Sequence, residues 1–345
     1  MTPLRWLAVV LSFGAAIGVS LYIVVSSWPA EGASVVLPVA THLLALAVVL
    51  MEAGARGLKL TLAARALRIR LRFGPAIRTV LGGDFGAAIT PARSGSEPAR
   101  FVILAQAGVT AADTLLLLFT ELFMEMVSLA VVALALAAAF RGSGPVIGSL
   151  VGLVGGYAGA VLGATGVAWM LARRSANGPP PRWARAVGLT GGRWRVVQRA
   201  LRQVRSSVGG LRGASVPLMS AALLASVVHV LLRLAVLPIV VLALVPAAAM
   251  ASASSLAPLV LWPLVFLYGG GVAPAPGGGG VVEIAFRAAL HDDIPAAAFG
   301  SALIWWRFYS FYVYILLGAV AAGGTVLRAL RPAHAPRVAG SPATS

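Results

Sequence analysis

The chain reads as an all-α polytopic membrane protein, with about six full transmembrane helices plus two broken-helix re-entrant hairpins in an inverted-repeat arrangement. Three observations predict this. Its 345 residues are 59% hydrophobic and only 11% charged, too few polar side chains to solvate the surface of a water-soluble globule. Several apolar runs reach the roughly 20 residues that a helix needs to cross a hydrocarbon core. The formal charge of +17 comes from basic residues clustered beside those runs, which is the pattern of cytoplasmic loops and not of a nucleic-acid surface.

The first span, 5–28, exceeds the roughly 7–15-residue core of a signal peptide and has no small-x-small cleavage site before Glu31, so it is expected to be retained. A second span covers 34–54. Residues 55–74 carry Arg56, Lys59, Arg65, Arg68, Arg70 and Arg72 between leucines, which suits an interfacial helix on the cytoplasmic surface. The alternation from Leu67 to Phe73 also fits an extended stretch.

Residues 75–110 form the first predicted re-entrant hairpin. Apolar residues up to Ile89 give way to a polar break from Thr90 to Arg100, and 101–108 is apolar again. Pro91 and Gly95 end one half-helix there, while Ser94, Ser96 or Glu97 can cap the next. Spans at 112–140 and 145–172 follow, then a basic cytoplasmic loop at 173–213 and a fifth span at 215–245.

The second hairpin, 254–290, is interrupted by a Pro/Gly run from Pro274 to Gly280 and closes with the helix-compatible stretch holding Glu283. A sixth span at 296–322 ends a single domain, 1–325, and 326–345 reads as a disordered cytoplasmic tail. Both termini then lie in the cytoplasm of a bacterial inner membrane, whose GC-rich coding fits the high Ala, Gly and Arg content. Reading 254–270 and 273–290 as full spans gives eight crossings instead, and charge counting does not separate the two.

Hairpins entering from opposite faces place a substrate site near the midplane. Their tips compare loosely, since Pro91 and Gly95 precede Glu97 as Pro276 and Gly280 precede Glu283, with the Glu offset differing by one. An ionisable group at membrane depth costs roughly 2.5–3.5 kcal/mol, so Glu283 marks a site that binds or passes something. Arg307 or Arg287 is its expected partner.

Glu97 and Arg100 share a helix face, as a local ion pair or as a functional one. Arg93 and Arg100 beside a half-helix N-terminus suit a phosphate, although Arg93 also fits a residue snorkelling to the cytoplasm. Asp84, among Gly82, Gly83 and Gly86, lines the first hairpin. Glu121 and Glu125 sit at i, i+4, without the His motif of a zinc site, and a structural pairing of Glu121 with Arg233 weighs at least equally with a proton relay. His42 and His229 read as hydrogen-bonded packing residues. Trp305 to Tyr309 suit an interfacial aromatic belt, and Gly152, Gly156 and Gly159 suit close helix packing.

Both hairpin tips resemble the lysylphosphatidylglycerol synthase transmembrane family, also called flippase-like. Its first signature is close to Thr-Pro-Ser-Gly-Ala-Gly-Gly-Glu-Pro-x-Arg, matched here by Thr90, Pro91, Gly95, Glu97, Pro98 and Arg100. The second, Pro-x-Pro-Gly-Gly-x-Gly-x-x-Glu followed by an Arg in the last span, is met by Pro274, Pro276, Gly277, Gly278, Gly280, Glu283 and Arg307. Ala92, Arg93 and Ser96 depart from the small residues of the first signature, so Arg93 bears on headgroup preference.

The resemblance implies translocation of a lipid or lipid-linked headgroup by the membrane module alone, without the soluble transferase domain of lipid-aminoacylating members. Membrane lipids, anionic or lipid-linked, are the expected partners, with a homo-oligomer or a lipid-biosynthesis partner also compatible. The absence of cysteine and of a nucleotide-binding Gly-x-x-x-x-Gly-Lys-Ser/Thr loop leads to an expectation of no catalytic residue, no metal and no cofactor. A lipid-modifying enzyme and an accessory subunit of a lipid-modifying system are the alternatives.

Overall fold

A computed structural model of the chain describes residues 36–90, 93–140, 145–175, 213–245, 253–269 and 280–330, with isolated positions at 18, 22, 194, 195 and 198. Most of the expected first span at 5–28, most of the basic loop, the tip of the second hairpin and the tail from 331 lie outside the described residues. All regular structure among the described residues is helical.

Helix α1 (Val39–Ala66) starts after Pro38 and runs unbroken past Gly54, where the second span was expected to end. Residues 55–66 are therefore the second half of α1 and not a separate surface helix. The reason is electrostatic: Lys59 is fully buried and Arg56 nearly so, each against carboxylates of neighbouring helices, and neither has to reach the surface for solvation. The helix stops where Arg68 adopts φ 61° and the Ile69 N–H reaches back to the Ala64 carbonyl at 2.8 Å, burying the Ile69 side chain. Residues 69–72 belong to neither a helix nor a strand, so the helix expected over 55–74 does not run through them.

Helices α2 (Phe73–Ala88) and α3 (Ser96–Gln106) pack together as a hairpin. At 1.5 Å per residue they are about 24 Å and 17 Å long, each short of a hydrocarbon core of roughly 30 Å. Glycine lets the two backbones meet: a Cβ on Gly86 would lie 2.6 Å from the Gly95 carbonyl oxygen, and one on Gly95 would lie 2.6 Å from that of Gly86. The Thr90 hydroxyl closes the tip, donating to the Gly86 carbonyl at 2.7 Å and accepting the Gly95 N–H at 2.7 Å.

Among the described residues, three helices are long and apolar enough to cross a membrane: α4 (Ala111–Ala139), α6 (Val216–Leu244) and the composite Ala296–Val326. The Thr110 side chain caps α4 by accepting the Asp113 N–H. Helix α5 (Pro145–Ser175) packs on α4, but a Cβ on Gly152, Gly156 or Gly159 would meet nothing within 4 Å, so these glycines do not serve close packing between the described helices.

Helix α6 runs antiparallel to α1 along its length. The Ser215 N–H binds the Ala66 carbonyl at 3.1 Å, and Val48, Val49 and Ala53 meet Val236 to Leu244 further along. Helix α7 (Ala253–Leu264) continues into a π-turn, Val265–Gly269, and α8 is Val281–Leu290. The last span is α9 (Ala296–Arg307), a π-turn (Phe308–Tyr312) and α10 (Val313–Leu330).

The Trp305–Tyr309 cluster is only in part a candidate belt. Trp306 is fully buried against Phe266 and Phe286, and Tyr309 is buried with its hydroxyl 2.7 Å from His42 Nδ1, because α9 packs its aromatic face onto the second hairpin and α1.

Helix α10 holds the first hairpin from behind through small residues. Gly318 sits on the Leu81 carbonyl and Phe85, Ala322 lies against Gly82, and Arg78 Nε donates to the Ala321 carbonyl at 3.0 Å. Gly318→Ala is expected to destabilise the fold by about 1–3 kcal/mol, the usual cost of overpacking where backbone must move. Gly324→Ala, whose Cβ meets nothing within 4 Å, is the control. Thermal unfolding in detergent should show a lowered midpoint for the first variant alone.

Candidate functional site

On α1, Glu52, Arg56 and Lys59 follow one another at spacings of four and three, which puts them on one helix face. His229 and Arg233 on α6, and Glu121 and Glu125 on α4, share faces by the same rule. The antiparallel contact of α1 with α6 and the packing of α4 across both bring the three faces together.

Each charge is matched across a helix boundary. Arg56 holds Asp84 of α2 through two hydrogen bonds, Nη1 to Oδ2 at 2.6 Å and Nη2 to Oδ1 at 3.0 Å. Lys59 Nζ donates to Glu125 Oε2 at 2.6 Å and lies 3.6 Å from Glu121 Oε1. Arg100 of α3 binds the Glu121 carboxylate through Nη2 and Glu97 through Nη1, the latter at 3.2 Å. Arg233 Nη1 is 3.6 Å from Glu52 Oε1, with its guanidinium over the Tyr314 ring at 5.3 Å.

The expected Glu121 to Arg233 pairing is thus replaced. Glu121 faces the first hairpin and Arg233 faces α1, because α6 presents His229, one turn earlier, to α4. His229 is no simple packing residue either: Nε2 lies 2.9 Å from Glu125 Oε2 and Nδ1 lies 3.5 Å from Glu52 Oε1. His42, by contrast, pairs with Tyr309 and packs edge-on to Trp305, as a packing residue does.

Arg56, Lys59, Asp84, Arg100, Glu121, Glu125, His229 and Arg233 line a cavity of about 820 Å³, within the usual range of roughly 300–1,000 Å³ for small-molecule sites. The apolar part of its lining is made by Leu115, Leu118, Phe119 and Leu122 of α4 and Phe101 of α3. Phe119 and Leu122 are about half exposed, so this side opens toward the outer surface of the helix bundle. Arg93 reaches the cavity from the hairpin tip at φ 56°, a left-handed conformation that a side chain holds only at a cost of order 1–3 kcal/mol. Leu267, from the π-turn after α7, also lines it.

Of the residues that the sequence singles out, Asp84, Arg93, Glu97, Arg100, Glu121, Glu125 and Arg233 line this cavity, and Thr90 and Gly95 hold the tip beside it. Gly280, Glu283 and Arg307 do not. They form a separate buried latch: the Glu283 carboxylate accepts the Gly280 N–H at 2.8 Å and Arg307 Nε at 2.8 Å, and the Arg307 guanidinium covers Phe311 at 4.7 Å. Pro91, Pro276, Gly277 and Gly278 lie outside the described residues. Among the described residues, no three His, Asp or Glu are placed to hold a metal ion.

The sequence pattern does not mark Glu52, and it assigns Arg56 and Lys59 to an interface and His229 to packing. The readable signal is the four-three spacing of charges on α1, which straddles the expected end of the second span at residue 54. Burying an ion costs several kcal/mol even after relaxation, and a well-packed apolar substitute is often neutral or better for stability. A paired network of this size beside a cavity is therefore a mark of function.

A family model described as the lysylphosphatidylglycerol synthase TM region matches residues 5–318. No curated protein matches the chain.

Lys59→Met leaves Glu125 without its closest cation and is expected to cost about 3–5 kcal/mol, the penalty for breaking a buried pair from one side. The double variant Lys59→Met/Glu125→Leu should recover most of that loss. Thermal unfolding of the purified proteins in detergent compares the two.

Proposed function

As the chain belongs to the family of the lysylphosphatidylglycerol synthase TM region, we propose that it transports lipid, moving a phospholipid or lipid-linked headgroup across the bacterial inner membrane. One observation carries the reading: the cavity lining combines paired charges with apolar side chains, of which Phe119 and Leu122 are half exposed at the bundle exterior. A headgroup fits the first and its tails the second. Arg93 and Arg100 at the hairpin tip supply guanidinium donors suited to a phosphate.

In the proposed topology the chain crosses six times, with both termini cytoplasmic. The two hairpins are re-entrant and inverted relative to one another. Supporting this are the lengths of α2 and α3, too short to cross, and the Pro/Gly run of the sequence from Pro274 to Gly280 in the second half. The protein acts as a carrier and not as an enzyme, and anionic or lipid-linked lipids are its partners.

Purified protein in phosphatidylcholine vesicles carrying a trace of headgroup-labelled phosphatidylglycerol should speed movement of the label between leaflets above the rate of empty vesicles. Arg100→Gln should slow it at least about tenfold, as loss of a charged hydrogen bond of about 1.5–3 kcal/mol implies. Well-folded protein that leaves the label moving at the empty-vesicle rate would sink the proposal. A new lipid product on chromatography would speak for an enzyme instead.

A further inference from the structure

His229 stands between two carboxylates at the cavity, with Nε2 2.9 Å from Glu125 Oε2 and Nδ1 3.5 Å from Glu52 Oε1, while Lys59 Nζ lies 3.4 Å from Nε2. A neutral imidazole has a single N–H and donates to only one of the two carboxylates, whereas a doubly protonated ring donates to both. Nδ1 and both Glu52 oxygens are buried and lack hydrogen-bond partners among the described residues. A second proton on the ring would satisfy Nδ1 and one Glu52 oxygen together.

The surrounding charge decides what that proton would bring with it. Facing His229 are Glu52, Arg56 and Lys59 from α1, Glu121 and Glu125 from α4, and Arg233 from its own helix, with Asp84 behind Arg56 and Tyr314 beneath Arg233. Adding Arg93, Glu97 and Arg100 of the first hairpin gives five basic side chains and five carboxylates, so a neutral His229 leaves the site without net charge. A protonated His229 leaves it one positive charge in excess, in a poorly solvated setting where that excess is costly. An anion in the cavity removes the excess.

We propose that the cavity takes up an anionic phosphodiester headgroup together with one proton, which leaves solvent in the cavity and binds the Nδ1 lone pair of His229. The proposal rests on the lipid-transport reading and adds its coupling: lipid and proton each raise the other's affinity, reciprocally. Transport of such a lipid is then electroneutral and follows a proton gradient.

Calorimetric titration of the detergent-solubilised protein with dihexanoyl phosphatidylglycerol, at about pH 8 and in buffers of different ionisation enthalpy, counts the protons taken up. Expected are about one proton per lipid for the unaltered protein and close to none for His229→Gln. Glu52→Gln gives the site its extra positive charge without a proton, so it should bind the lipid with uptake well below one.

Lipid binding without proton uptake by the unaltered protein would overturn the coupling while leaving the transport reading standing, and so would equal uptake by His229→Gln. If His229→Gln does not fold, undiminished uptake in Glu52→Gln has the same force. An unaltered protein that binds no lipid overturns the transport reading, and the coupling falls with it.

Discussion

Charge that enters an apolar phase must bring its counter-charge with it, and that constraint organises this structure. Helix α1 could not continue past Gly54 if Arg56 and Lys59 had to reach water. They remain buried because Asp84, Glu125 and Glu121 arrive from the first hairpin and α4. The same pairs fix where those elements sit: α2 is tied to α1 by the Arg56–Asp84 fork, and α3 to α4 by Arg100 and Glu121. A cavity with a charged wall follows from this packing.

Pairing also explains how the wall stays ready for a ligand. Guanidinium groups held by carboxylates keep their geometry without a guest, which lowers the ordering cost when one arrives. The apolar contacts are placed elsewhere. Phe266, Phe286 and Trp306 fill the region between the second hairpin and the last span, where Glu283 and Arg307 close on each other with no cavity between them. In the described residues the first hairpin faces the cavity with its charges, while the base of the second packs as a core.

Much of this was legible from residue order. The break between Thr90 and Arg100 marks the hairpin tip, and the cost of leaving Glu283 alone in an apolar stretch calls for a cationic partner, Arg307 or Arg287, of which the fold brings Arg307 to it. The course of α1 was harder to read. Local composition at Arg56 to Arg72 favours an interface, and what reverses that preference is contributed by Asp84, Glu121 and Glu125, far off in sequence. His229 was opaque for the same reason, since a lone imidazole in an apolar helix shows nothing of the two carboxylates that flank it. The strain at Arg93 has no sequence sign beyond a non-glycine residue where the signature has a small one.

The π-turn at Phe308–Tyr312 carries a further consequence. Each residue of a helix advances its faces by about 100°, and the wide turn resets the phase between α9, which aims Arg307 at Glu283, and α10, which lays Gly318 on Leu81. A π-turn takes about one residue more than an α-turn for the same rotation, so straightening it into an ordinary helix of the same length would swing the Gly318 face away from the first hairpin. The register between Arg307 and Gly318 thus depends on the wide turn as much as on the residue count.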